Sequence, residues 1–265
     1  MTENRHFLTY QGYLRIPELL SLQSPLSDPE EHDETLFIVI HQVYELWFKV
    51  VLHELDRVRE LFVAGDGPRA AATLKRVLTV FKVLVAQLDI LETIMPVEFE
   101  SFRNRLESAS GFQSAQFREL EFVLGRKQGD VVARFPEDSG ERRRLERRLA
   151  EPTLWDGFMR FLAGRGCAIP AEALARDVTR PAAPDAAVQD ALVRIYRTDP
   201  ELAGFCERLV DLDEGVQEWR YRHVKMVERT IGTKRGTGGT AGAAYLASTL
   251  GSHAFPDLWE IRARL

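Results

Sequence analysis

Two histidines have the positions in this sequence that most suggest chemistry. The chain contains six histidines, and His41 and His223 each lie in the middle of a long helical pattern among apolar and aromatic neighbours. A polar imidazole in such surroundings is costly unless it has a partner. Two interpretations stay open: each ring is a core histidine satisfied locally, or the two rings belong to one site.

A single bond to haem iron is the simplest metal role for such a histidine. Di-iron bundles need Glu-x-x-His motifs on facing helices, and only Glu3 and His6 have that spacing. The His-Glu-x-x-His motif of zinc proteases is absent, and no second pair joins His41 and Glu45 to complete a metal shell. Haem iron can be held by one histidine without a second protein ligand. The residue pattern permits this role without requiring it.

Arg103 and a glycine-rich loop are candidates for binding an anionic group. Arg103 follows Phe99 and Phe102, and a guanidinium beside aromatic rings makes a good two-pronged anchor for a carboxylate. A surface ion pair is the commoner fate of a single arginine. Loop 232–242 (GTKRGTGGTAG) lacks the spacing of a P-loop and the βαβ context of a dinucleotide site. It is either a flexible linker or a loop that closes over an anion.

Long helices are expected to position these groups in an all-α bundle of long antiparallel helices. Apolar residues recur at three- and four-residue steps from Asp33, the predicted N-cap, to Phe62, and again as far as Leu91. The turn between these two helices is short, which favours antiparallel packing. A third long helix is predicted over about 200–231, and residues 112–125 also have a helical pattern.

Segment 126–190 has a different composition. It contains an arginine run at 142–148, followed by scattered prolines and alanines. We interpret it as an inserted helical hairpin with a looser tail, outside the main bundle. The arginine run most resembles a solvated helix face with acidic partners, and nucleic-acid binding is a poor second interpretation.

Composition and charge narrow the class of protein. The net charge of -5 provides no overall positive field to attract phosphates, which argues against a nucleic-acid partner. Two cysteines are too few for a disulfide framework, so a reducing cytoplasm is the expected location. The N-terminal residues do not have the pattern of a secretory signal. We expect no apolar stretch of the ~18 residues that a membrane span needs, and therefore no membrane association.

Five segments together resemble the tryptophan 2,3-dioxygenase family. They occur in the family's order and cover nearly the whole chain outside 126–190: 10–15 (YQGYLR), 37–49 (FIVIHQVYELWFK), 110–120 (SGFQSAQFREL), 219–223 (WRYRH) and 236–242 (GTGGTAG). The resemblance implies a helical bundle that encloses haem b with ferrous iron and uses O2 as co-substrate. It also implies insertion of O2 across the indole C2–C3 bond of L-tryptophan to give N-formylkynurenine.

The resemblance also implies roles for individual residues. His223 is expected to be the axial ligand of the haem iron, and His41 to face the indole N–H as a base or an orienting acceptor. The other expected contacts are Phe37 and Phe99 at the indole, Arg103 and Thr237 at the carboxylate end, Ser110 and Gly111 near the O2 side, and Tyr10, Tyr13 and Leu14 reaching into a neighbouring subunit.

The resemblance finally implies a homotetramer. Residues 1–32 are then an arm that contacts a neighbouring subunit, and residues 33–265 are the haem-binding domain with the inserted segment at about 126–190. Two other functions stay open, namely a haem-binding sensor on the same scaffold without turnover and a purely structural helical bundle. A Soret band separates the bundle from the other two functions, and conversion of tryptophan separates enzyme from sensor.

Overall fold

The computed structural model describes residues 8–107, 109–236 and 242–265. These ranges contain thirteen α-helices and no β-strand, which confirms the all-α prediction. The helices are α1 (Tyr10–Leu14), α2 (Ile16–Leu19), α3 (His32–Val63), α4 (Gly67–Leu91), α5 (Pro96–Arg103), α6 (Ala115–Val123), α7 (Gly140–Ala150), α8 (Leu154–Gly164), α9 (Ala171–Leu174), α10 (Ala186–Thr198), α11 (Pro200–Ile231), α12 (Ala243–Ala247) and α13 (Pro256–Glu260). Short 3-10 turns lie at Asn104–Leu106, Gly111–Gln113, Gly129–Arg134 and Ile261–Arg264.

The first two long helices, α3 and α4, run antiparallel, as the short connection predicts. The Tyr44 hydroxyl donates to the Leu84 carbonyl at 2.7 Å, and ten residues further along α3 Glu54 pairs with Arg76 at 2.8 Å. Residue numbers therefore rise along one helix as they fall along the other. Val51, Leu55 and other fully buried side chains on the inner face of α3 fill the core between the two helices.

The third long helix, α11, carries His223 and begins and ends as predicted. Its Asp199 N-cap accepts a hydrogen bond from a backbone N–H of the first turn, and Gly232 ends the helix with a φ of 59°. Ring contacts join Phe205 to Phe62 and Trp219 to Phe48. These contacts show that α11 is antiparallel to α3, so His223 lies beside the first half of α3.

Two helix starts differ from the sequence-based predictions. Helix α3 begins at His32, with Glu31 at the N-cap. Asp33 lies inside the first turn, where its negative charge interacts favourably with the helix dipole. Helix α6 begins at Ala115 because the Ser114 side chain accepts a hydrogen bond from the backbone N–H of Phe117. The residues just before Ser114 form a 3-10 turn instead of helix.

Segment 126–190 is helical, as predicted from the sequence. The interpretation that it lies outside the main bundle is wrong for α8. Helix α8 places Trp155, Phe158 and Phe161 in the same core cluster as α3, α4 and α11. Leu145 of α7 and Val131, Val132 and Phe135 of the preceding segment form a smaller cluster with α6. The arginine run of α7 dominates the composition of this segment. The apolar face of α8, by contrast, packs into the core.

Helix α3 is long enough to cross a membrane, and one 18-residue window of it, with a mean hydropathy of 1.4, is apolar enough by composition. We did not expect such a stretch from the sequence. Its inner face is buried in the core, which includes Val51, Leu55 and Val58. A long core helix of a bundle passes the same test of length and composition.

The C-terminal residues are fastened to α11 by a buried carboxylate. Asp213 is 1% exposed, and its Oδ2 atom accepts hydrogen bonds from the backbone N–H groups of Ala254 and Phe255 and from the indole of Trp259. The three bonds satisfy one oxygen of a charge that would be very costly to bury without partners. These hydrogen bonds attach α13 and the residues just before it to α11.

The N-terminal helices α1 and α2 contain no buried residue. Tyr10 is 75% exposed and Tyr13 is 70% exposed. The link to α3 is held by Glu34, which is buried and accepts backbone hydrogen bonds from Leu26 and Ser27. The base of this segment is therefore anchored, whereas its aromatic side chains face away from the bundle.

Candidate functional site

A cavity of about 270 Å³ opens between α3, α5, α6 and α11. Both histidines singled out in the sequence contribute to its wall, so they belong to one site. The predicted residues that line it are Phe37, His41, Phe99, Arg103, Ser110, Gly111 and His223.

His41 is oriented by its own helix. Its Nδ1 atom lies 2.7 Å from the carbonyl oxygen of Phe37, one turn earlier, and donates to it. The other ring nitrogen, Nε2, is then unprotonated and can accept a hydrogen bond. Burial lowers the pKa of His41, although the Phe37 carbonyl and the Glu45 carboxylate oppose this shift. The ring is therefore neutral at neutral pH.

His223 lies on the opposite wall and is held differently. Its ring stacks on that of Trp219, with centroids 5.2 Å apart and planes within 5°. Burial lowers its pKa to about 4, and the nearby His41 adds to the shift. Within the described residues, no hydrogen bond fixes the His223 ring. A neutral imidazole can bind a metal ion through its unprotonated ring nitrogen.

An aromatic group lines the cavity on the α3 and α5 side. The Phe37 ring lies 4.2 Å from that of His41 and 5.7 Å from that of Phe99, measured between centroids. Phe102, which is fully buried, packs edge-on against both phenylalanines. A planar aromatic ligand would find here the tilted and edge-on partners that aromatic rings prefer.

Arg103 reaches the cavity from the last turn of α5. Its side chain is 14% exposed, its Nη1 atom lies 3.5 Å from Glu100, and its Nη2 atom donates to the carbonyl oxygen of Arg235. The sequence left a surface ion pair as one interpretation of Arg103. The residue does pair with Glu100, but its side chain is largely buried. Ser110 and Gly111 lie where the 3-10 turn before α6 meets the cavity.

A buried charge cluster on the cavity wall was not predicted from the sequence. Glu121 is 2.5 Å from Arg118 and 2.6 Å from Arg220, and Arg126 lies 3.8 Å away. Burial alone raises the pKa of the Glu121 carboxyl, but the two nearer arginines outweigh it and hold the pKa below its usual value. Three guanidinium groups against one carboxylate leave two positive charges in surplus. The buried Nε atom of Arg220 has no hydrogen-bond partner in the described part of the chain.

A signal for this cluster exists in the sequence, although it is weak. Arg118 and Glu121 are three residues apart on α6, and Glu121 lies between the buried residues Leu120 and Phe122. Charged side chains on the buried face of a helix are almost never fully buried unless an oppositely charged partner pairs with them. That partner, Arg220, comes from α11 and lies 99 residues away in sequence.

Three predicted residues are not placed in the cavity by this single chain. Tyr10, Tyr13 and Leu14 lie on the exposed helix α1 and do not line it. Thr237 lies outside the described residues. No group of three or more metal-binding side chains occurs among residues 8–107, 109–236 and 242–265, so a metal here would rely on His223 with a non-protein ligand set.

The described site has the donors that a haem requires. The aromatic and aliphatic wall suits the porphyrin faces, the neutral His223 suits the iron, and the surplus positive charge around Arg220 suits the carboxylates of the haem. A second ligand could bind between His41 and Arg103, which offer one neutral acceptor and one cation. At this place the protein itself can therefore accept one hydrogen bond, through His41, and pair with one carboxylate, through Arg103.

Comparison with known proteins gives consistent matches over most of the chain. The family described as tryptophan 2,3-dioxygenase matches residues 2–154 and 168–265. A tryptophan 2,3-dioxygenase of Herpetosiphon aurantiacus is 57% identical over 97% of this chain and 98% of its own length. One from Anaeromyxobacter dehalogenans is 56% identical over 97% and 96%, and one from a Nocardioides strain is 47% identical over 97% and 95%.

Proposed function

This chain belongs to the tryptophan 2,3-dioxygenase family, and we propose that the cavity between α3 and α11 binds haem b through His223 and L-tryptophan on the His41 side. The activity is that of the family: both atoms of O2 are added across the indole C2–C3 bond of tryptophan, which gives N-formylkynurenine. The family is haem-dependent. The placement of the haem and the substrate is the part that we propose.

One observation carries the proposal. His41 and His223 line the same cavity, and among the residues that the structure describes the His41 ring is oriented by a hydrogen bond whereas the His223 ring is not. A hydrogen bond from Nδ1 fixes the tautomer of an imidazole and leaves Nε2 as the acceptor, which suits either a substrate N–H or a metal ion. The resemblance of segment 219–223 (WRYRH) to the family implies that His223 holds the iron, and we therefore propose that the substrate binds on the His41 side of the shared cavity.

The cofactor supplies the step that no side chain can perform. When bound, ferrous haem provides the activation of O2. Arg118, Arg126 and Arg220 are the candidates to pair with its carboxylates, because only Glu121 balances their charge in the cluster. The aromatic side chains around Phe37 and Phe99 keep water away from the reacting indole.

The protein's own residues position the substrate. Arg103 pairs with the tryptophan carboxylate, and the unprotonated Nε2 of His41 accepts a hydrogen bond from the indole N–H. Fixing both ends of the substrate turns a bimolecular encounter into a reaction between oriented groups. We propose that His41 acts as an orienting acceptor, and that the indole proton need not leave in the first step of the reaction.

The two other functions considered from the sequence are less well supported. The comparisons give no support to a haem sensor without turnover, because the relatives described above are all named as enzymes. A purely structural bundle does not explain the charge surplus beside the cavity. A closed core would neutralise or exclude such charges.

We further propose a cytoplasmic homotetramer in which residues 1–32 form an arm and residues 33–265 the haem domain, with the inserted segment at about 126–190. The exposed Tyr10 and Tyr13 support this proposal, since large aromatic side chains at 75% and 70% exposure are typical of surfaces that pack on another chain. Leu46 on the outer face of α3, 49% exposed, adds to the apolar surface available for contact. Light scattering after size-exclusion chromatography measures the state directly.

The decisive experiment removes the imidazole of His223. We expect His223→Ala to lose the Soret band on titration with haem and to form no N-formylkynurenine from L-tryptophan and O2 under reducing conditions. His53→Ala is the matched control, because His53 is an exposed histidine of α3, and it should behave as the unaltered protein. Normal haem binding by His223→Ala would overturn the proposal.

A further inference from the structure

Glu100 on α5 contacts two cations that belong to different parts of the site. Its carboxylate lies 2.9 Å from the Lys234 ammonium and 3.5 Å from the Arg103 guanidinium. The hydrogen bond from Lys234 is the main cause that lowers the pKa of Glu100, with Arg103 contributing less. One carboxylate therefore joins the proposed substrate anchor to the start of the glycine-rich loop.

Arg103 is also joined to the loop through the main chain. Its Nη2 atom donates to the carbonyl oxygen of Arg235. This carbonyl occupies a donor of the guanidinium that the tryptophan carboxylate would need. A charged acceptor forms a stronger hydrogen bond than a neutral carbonyl, so the substrate can displace Arg235 from Arg103.

The two ends of the loop meet beside this contact. Gly242 has a φ of 59°, and a Cβ atom at this position would lie 2.8 Å from the carbonyl oxygen of Lys234 and 3.5 Å from the backbone nitrogen of Gly236. Only glycine fits so close to another backbone segment. We define the loop base as residues 234–236 together with Gly242.

We propose that Glu100 is a positioning residue for the substrate carboxylate: it holds the loop base against α5 while Arg103 exchanges the Arg235 carbonyl for the carboxylate of tryptophan. The inference rests on the proposed role of Arg103. Once Arg103 has released Arg235, the Lys234–Glu100 pair is the remaining side-chain link from the described loop base to α5. Loss of Glu100 therefore separates the loop base from the anchor at the moment when the substrate binds.

The first test measures cleavage of the loop base and is independent of haem chemistry. An arginine-specific protease is applied to Glu100→Gln, Lys234→Gln and the double variant, and cleavage after Arg235 is quantified by mass spectrometry. We expect each single variant to be cleaved about fivefold faster at an unchanged melting temperature. The double variant should be no faster than either single variant, because both changes break the same contact.

The control for this test is Glu60→Gln. Glu60 forms an exposed ion pair with Arg57 at 2.9 Å at the far end of α3, so the variant loses a comparable surface pair. Its cleavage after Arg235 should not change. Unchanged cleavage in Glu100→Gln, or additive effects in the double variant, would contradict the proposal.

The second test separates positioning from a general structural effect. In the haem-loaded enzyme, Glu100→Gln should raise the KM for L-tryptophan about fivefold and leave kcat within twofold. The Kd of tryptamine, which has the indole but no carboxylate, should not change. Equal weakening of both ligands, or an unchanged KM, overturns the inference.

The two proposals fail in distinguishable ways. If Arg103→Lys weakens L-tryptophan selectively but Glu100→Gln changes neither cleavage nor KM, the role of Glu100 is wrong and the site stands. If Arg103→Lys affects L-tryptophan and tryptamine equally, the carboxylate anchor itself is wrong.

Discussion

The α3 side of the cavity, with Phe37 and His41, and the α11 side, with Trp219 and His223, each present one imidazole to the same space. On the α3 side the ring is fixed by a hydrogen bond to its own helix. On the α11 side the ring is supported by stacking alone among the described residues. The two rings thus differ in how the described residues hold them, and we propose different partners for them, an indole N–H for His41 and iron for His223.

The two sides also differ in charge. The α11 side contains Arg220, paired with Glu121 and close to Arg118, all less than 9% exposed. The α3 side is aromatic, and its cation, Arg103, enters from α5. The anionic cofactor and the zwitterionic substrate that we propose can therefore share one cavity, because the cations proposed to bind each of them lie at different places on its wall.

The largest expected effect tests whether the α11 side depends on its carboxylate. Glu121→Ala leaves Arg118 and Arg220 buried without their partner, which should lower the free energy of unfolding of the haem-free protein by about 3–5 kcal/mol. Urea denaturation measures the change. Glu228→Ala, which removes an exposed pair with Lys225, should cost less than about 1 kcal/mol. A similar small loss in both variants would show that the cluster is not a buried network.

The next effect concerns the cation beside the aromatic side. Arg103→Lys keeps the charge but loses the two-pronged geometry, so the KM for L-tryptophan should rise by about tenfold or more, as expected when a hydrogen bond to a charged group worth roughly 1.5–3 kcal/mol is lost. Steady-state kinetics measure this. Arg235→Lys is the control, since Arg235 contributes its backbone carbonyl to the contact. An equal rise of the KM in both variants would show that the Arg103 guanidinium is not the specific anchor of the substrate carboxylate.

His41→Ala sharpens the comparison of the two imidazoles. We expect the variant to bind haem normally, unlike His223→Ala, and to retain turnover with kcat/KM about fivefold lower, since one hydrogen bond contributes about 1 kcal/mol. Haem titration and product formation measure the two properties. If turnover disappears while haem and tryptophan still bind, His41 must act as an obligatory base.

The pH dependence provides a finer test of the α3 side. Protonated His41 cannot accept a hydrogen bond from the indole, so kcat/KM should fall as the pH decreases through the pKa of this ring. Because burial lowers that pKa from 6.5, the acid limb should lie below pH 6.5 and the profile should be flat from there to pH 8. The limb should be absent from the His41→Ala profile. A limb centred above pH 6.5 would show that the ring is not desolvated.

The smallest expected effect concerns the stacking partner of His223. Trp219→Phe keeps an aromatic ring next to the imidazole, so the rate of haem dissociation should change by less than about threefold, since ring pairs contribute roughly 0.5–1.5 kcal/mol. Trp219→Ala removes the support and should release haem faster. Equal rates in the two variants would mean that stacking does not orient His223.

The long helices could be predicted because their apolar periodicity is local. The positions of His41 and His223 inside α3 and α11 followed from the sequence in the same way. Helix α8 was misplaced because its pattern shows which face is apolar but not which neighbour buries it. The 3-10 turn before Ser114 depends on a side-chain hydrogen bond that competes with helix, which periodicity does not detect.

The charge cluster shows where sequence-based prediction of the site stops. Glu121 and Arg220 meet from α6 and α11, and neither residue differs by type from a surface charge. The stacking of Trp219 on His223 follows from their spacing of one helical turn, but the absence of a hydrogen bond to His223 among the described residues requires knowledge of every neighbour. Local geometry was therefore predictable, whereas pairing between distant segments was not.

The carboxylate of Asp213 has a practical consequence for anyone who shortens or extends this polypeptide. A truncation before Ala254 would remove all three hydrogen-bond donors and strand an anion in the middle of the helix that carries His223. Leu265 is 47% exposed, so an affinity tag fused after it leaves these donors in place. Deletion and fusion at the same terminus should therefore have opposite outcomes for cofactor retention.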